Sequence, residues 1–108
     1  MSRALALLWI FPLAAAAAAD DRFTVPPALW DRPRSARAVL EQPAVRRAVE
    51  LYLARPGSKL VIHHGNGPDP LAQADEFRAW LMALAIDGAR VSLVNDLRPT
   101  ESLQMEVK

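Results

Sequence analysis

Two adjacent histidines, His63 and His64, close the apolar run Leu60-Val61-Ile62 and open into Gly65-Asn66-Gly67-Pro68-Asp69-Pro70. Imidazoles, a carboxylate and a glycine-rich loop are the ingredients of metal, anion or proton-transfer sites. A shared metal fits the spacing poorly. Neighbouring side chains on a strand point to opposite faces, so the two rings do not converge on one ion. A zinc site would also need two further ligands, drawn from Asp69, Asp75 or Glu76, because the chain has no cysteine and no third histidine. A metal pair of His63 and His64 therefore stands as the alternative reading, and no cofactor is expected.

A polar-ligand site fits better. The end of a strand beside a helix start is where ligands bind in α/β sheets. Backbone donors of the Gly65–Asp69 loop can cradle an anion, with Arg78 one or two turns along the following helix. The candidate set is His64, Asn66, Asp69 and Arg78. Against it stands a plainer reading, which the sequence favours: the histidines end a covered strand and bind nothing. Catalysis has less support. Ser58 and Ser92 have no motif around them, and no G-x-S-x-G occurs. Asp75 and Glu76 diverge by about 100° on a helix, which suits helix-start electrostatics better than acid–base work. The chain is read as a non-enzyme.

The elements that must position these residues follow from periodicity and punctuation. Ser35–Gln42 gives one or two helical turns, and Pro43 restarts a helix whose face is Val45, Val49, Tyr52 and Leu53. Arg55-Pro56-Gly57 stops it. Leu60–Ile62 reads as a strand covered on both sides. A helix is expected from Pro70 to about Ile86, with Leu71, Ala74, Phe77, Leu81, Leu84 and Ala85 as its buried stripe and Gly88 as its left-handed cap. Val91–Val94 is the next strand. Leu103, Met105 and Val107 alternate with polar residues as a half-buried last strand. The expected fold is a small two-layer α/β (α+β) sandwich. Its mixed sheet holds a right-handed β-α-β unit and a C-terminal β-hairpin.

Upstream lie two further segments. Residues 1–19 carry Arg3, an apolar run from Ala4 and the small residues Ala17-Ala18-Ala19, the three-part pattern of a cleaved signal peptide. The run is shorter than the roughly 20 residues a membrane helix needs, so no span is expected after cleavage. The reading is export to the periplasm. Residues 20–34 form a proline-rich arm in which Phe23–Val25 can pair as a short edge strand, and Leu29 and Trp30 fasten the arm by packing. Residues 35–108 are read as one domain. Without Arg3, basic and acidic side chains balance, so no positive face suggests nucleic acid. An exported domain of this size without cysteine must be held by packing alone.

The stretch "AVRRAVELYLARPGSKLVIHHGNG" resembles the part of OmpA-like peptidoglycan-binding domains where a helix ends in a proline turn and a strand runs into the binding loop. "ADEFRAWLMALAIDGARVSLV" is similar to that family's second helix and following strand, and "LQMEVK" to its closing strand. The resemblance spans most of residues 35–108 as pattern rather than identity. It implies an α/β fold and a loop acid and helix arginine that hold the diaminopimelate of peptidoglycan. Arg78 matches the arginine. Gly65-Asn66 stands where the family carries Thr-Asp, and Asp69 is the nearby acid. The resemblance implies a cell-envelope module whose partner is an envelope protein or a peptidoglycan fragment.

Overall fold

The computed structural model describes residues 21–108, and the expected leader at 1–19 lies outside the described residues. Prolines punctuate the start of the chain. Arg22–Thr24 forms β1, and Pro27–Asp31 winds into a 3-10 turn with proline in its first turn. At Ser35 the backbone is extended and the hydroxyl oxygen accepts from the Ala38 amide at 3.1 Å, starting α1 (Ala36–Leu40) as an N-cap should. Pro43, whose missing donor costs nothing in a first turn, starts α2 (Pro43–Ala54).

β2 runs Leu60–Gly65, so both histidines lie inside the strand. α3 runs Pro68–Ala83 rather than Pro70–Ile86. Its stop is also not the expected one. Ala85, with φ 71°, takes the left-handed position, and the Ile86 amide donates back to the Leu81 carbonyl at 3.1 Å. Gly88 instead opens a second 3-10 turn, Gly88–Arg90, leading into β3 (Val91–Leu97). β4 is Gln104–Val107.

The fold class is the expected small α+β one, a four-stranded mixed sheet with helices. The strand order is β1-β4-β2-β3: β2 and β3 are parallel, and β4 is antiparallel to both β1 and β2. The C-terminal hairpin is therefore corrected. β3 and β4 do not pair, because the chain from Arg98 to Leu103 passes over the end of β2 and β4 inserts between β2 and β1. Gly65 makes room for that passage. A Cβ there would meet the Arg98 carbonyl oxygen at 2.5 Å and the Pro99 Cα at 2.9 Å.

The core lies on one face of the sheet. Leu60, Ile62, Val91, Met105 and Val107 point into it, against Val39 of α1, Val45, Ala48 and Tyr52 of α2, and Ala74, Phe77 and Leu81 of α3. The helical stripes are narrower than the sequence suggested: Leu53 is 69% exposed and Leu71 46% exposed. The proline-rich arm is built into the structure. Phe23 pairs with Met105, Val25 donates to the Leu103 carbonyl at 2.8 Å, and Val25 and Leu29 are fully buried. Burying the Leu29 side chain alone contributes roughly 2–3 kcal/mol. No helix among the described residues is long and apolar enough to cross a membrane.

Candidate binding site at the strand–helix junction

The two histidines lie on opposite faces of β2, as strand geometry requires. His64 lies on the core side, where its Nδ1 donates to the Gly65 carbonyl at 2.9 Å. His63 lies on the face without helices and is only 5% exposed. Its Nδ1 sits 2.9 Å from both carboxylate oxygens of Asp96, and its Nε2 sits 2.8 Å from Oε1 of Glu106. A doubly protonated ring donates to both carboxylates, whereas a neutral ring has only one N–H to give. Asp96 reaches His63 through a bulge: His64 pairs with Asn95 and Gly65 with Leu97, leaving Asp96 between them to turn back. Among the described residues no group of three or more His, Asp or Glu side chains could hold a metal ion. The sequence placed the two rings on opposite faces but had no signal for Asp96 and Glu106, which are 33 and 43 residues from His63.

The other candidates separate. Asn66 accepts from the Asn95 side-chain amide at 3.4 Å, tying the loop to β3. Gly67, at φ 115°, supplies a backbone turn that other residues rarely adopt. Asp69 lies in the first turn of α3, where a carboxylate favours the helix dipole. Arg78 is nine residues further, about 14 Å along the axis, and its guanidinium is turned elsewhere. It donates to the Gly88 carbonyl at 2.9 Å and to the Val91 carbonyl at 3.4 Å, bracing the entry to β3. Ser58 is also occupied, its hydroxyl donating to the Tyr52 carbonyl at 3.1 Å.

What surrounds Asp69 is a cleft of about 350 Å³, within the range of small-ligand sites. Its walls come from the first 3-10 turn, the start of α3 and the β3–β4 connection, with Trp30, Asp31, Gln73 and Glu101 lining it beside Asp69. Glu101 is partly engaged, accepting from the Arg98 amide at 2.8 Å. Among the described residues neither Asp31 nor Asp69 takes part in an ion pair. The cleft therefore presents negative charge next to an aromatic wall.

One clamp holds that wall. Arg34 stacks over Trp30, 5.2 Å from the ring centroid, and pairs with both carboxylate oxygens of Glu76 on α3. Glu76 also accepts from the Trp80 indole N–H at 2.9 Å, and Trp30 meets Phe77 edge-on at 6.5 Å. The Arg34 hydrogen bond holds the Glu76 carboxyl below its ordinary value, outweighing partial desolvation, and the same contact raises Arg34. Glu76 read in the sequence as a helix-start charge. Its role became visible only once the arm was seen to fold across α3.

Comparison of the chain with protein-family models, curated proteins and solved structures gives no match.

Proposed function

We propose that this chain is an exported, non-catalytic module of the cell envelope, working in the periplasm as a binding or accessory protein. The observation that carries the reading is the cleft at the start of α3, where Asp31 and Asp69 face a space of about 350 Å³ walled by Trp30. Carboxylates beside an aromatic face suit an ammonium group. The free amine of a peptidoglycan stem peptide is a ligand of that kind, and the OmpA-like pattern of residues 35–108 points to the same one. In this reading Asp69 is the loop acid, while Arg78 acts as a brace for β3 and not as a ligand. The Ser58 hydroxyl is taken up by the Tyr52 carbonyl, which supports a role without nucleophilic catalysis. The leader pattern at 1–19 supports export.

The test is co-sedimentation of residues 20–108 with purified peptidoglycan sacculi. The protein is expected in the pellet at low salt, and Asp69→Asn is expected to return most of it to the supernatant with an unchanged far-UV spectrum. If the unsubstituted protein stays in solution, the wall-binding reading is wrong.

A further inference from the structure

A second surface is marked by a row of charges that crosses the whole sheet. On the helix-free face Arg22 of β1 lies 3.9 Å from Glu106 of β4. Glu106 lies 2.8 Å from His63 of β2, and His63 lies 2.9 Å from Asp96 of β3. One residue comes from each strand, in the spatial order of the strands. The row ends on the Asp96 carboxylate at the outer edge of the sheet.

That edge is unpaired. β3 is seven residues long, and among the described residues nothing pairs with its outer side. Natural edge strands are protected by proline, by lysine, by bulges, by inward-pointing charges, or by being very short. In β3 the bulge and the inward-turned charge both fall at Asp96, so residues 91–95, which contain no proline, lysine or other charge, carry none of these devices. Apolar side chains flank the edge. Leu71, Arg78 and Met82 share one side of α3 by helical spacing. Arg78 places that side over β3 through its bonds to Gly88 and Val91. Leu71 and Met82 there are each 46% exposed, and Val94 on the opposite face is 37% exposed.

We propose that the free edge of β3 takes an extended polypeptide segment as a fifth strand. The segment carries a lysine or arginine on the face shared with Asp96 and apolar residues on the face turned to Leu71 and Met82. Strand addition supplies backbone hydrogen bonds, and the alternate side chains supply specificity. The cation lies beside the carboxylate of Asp96, whose side chain is 45% exposed. A second copy pairing through its own β3 would bring no cation, since that strand has only Asp96. This surface is separate from the cleft, and its test does not depend on wall binding.

The experiment is an amide- and methyl-detected NMR titration of the purified chain with two short blocked peptides. Both alternate threonine and valine, one with a central lysine and the other with glutamate. Shifts are expected along Val91–Leu97 and at the Leu71 and Met82 methyls, with the lysine peptide binding roughly three- to tenfold more tightly. Raising the salt should narrow that gap. Asp96→Asn should remove the preference, and Met82→Glu, at an exposed site, should weaken both peptides. Absence of shifts along β3 with either peptide, or equal binding of the two, overturns the proposal. So does sedimentation equilibrium showing a dimer that Val94→Lys dissociates, since the edge would then belong to a second copy.

Discussion

At Gly65 the backbone of Arg98 and Pro99 passes so close that a methyl group would meet a carbonyl oxygen at 2.5 Å. Neither side can yield cheaply, because both are backbone. Gly65→Ala is therefore expected to destabilise the fold by roughly 2–3 kcal/mol, measured by urea denaturation, as overpacking does elsewhere. Gly67→Ala would act differently, through its positive φ. Glu76 offers a test with a pH signature. Its folded-state carboxyl lies below the ordinary value because Arg34 donates to the ionised form. A depressed carboxylate contributes stability above its unfolded value, and that contribution is lost as pH falls through the folded one. Glu76→Gln should accordingly lower Tm at neutral pH, and the difference from the parent should shrink to nothing under strongly acidic conditions. A gap that persists at acid pH would mean that packing against Trp80 and Trp30, not charge, is what Glu76 supplies.

Among the elements, α3 shows how legibility depends on locality. The sequence places its start two residues late, at Pro70 instead of Pro68, while its buried stripe of Ala74, Phe77 and Leu81 was readable from helical spacing. Its stop was not, because Gly88 carried the usual signal while the tertiary structure placed the left-handed residue at Ala85. A left-handed alanine is strained where glycine is not. Ala85→Gly should raise stability by roughly 0.5–1 kcal/mol in chemical denaturation, and an unchanged midpoint would contradict the assignment of the cap. The last two strands failed as a hairpin for a related reason. A short connection between two amphipathic strands reads as a hairpin, and only the clearance above Gly65 shows that the chain crosses β2 instead. The candidate site was legible to the same degree. Asp69 and the opposed histidines came from local pattern. The Asp96–His63–Glu106 contact and the Trp30 wall depend on residues brought together from across the chain.

For the whole molecule, the proline-rich arm and the domain are one packed unit. Residues 22–34 supply an edge strand, the fully buried Val25 and Leu29, and the Arg34 clamp that holds one wall of the cleft. Leu29→Ala should cost about 2–5 kcal/mol, enough to threaten a fold of this size, and calorimetry would show it as a large drop in Tm. The arm therefore helps to form the site instead of hanging beside it. With basic and acidic side chains balanced over residues 20–108, the charge pattern of the surface is local: acidic residues line the cleft, and Arg22, Glu106, His63 and Asp96 form a row on the helix-free face.

The central claim is that the cleft beside Asp69 receives an amine of the cell wall. The most direct measurement is a titration of residues 20–108 with a soluble stem-peptide fragment of peptidoglycan, following the Trp30 indole and the Gln73 amide by NMR. Saturable shifts at these two positions that disappear when the fragment's free amine is acetylated are the predicted result. Equal shifts with the acetylated fragment, or none with either, would contradict it.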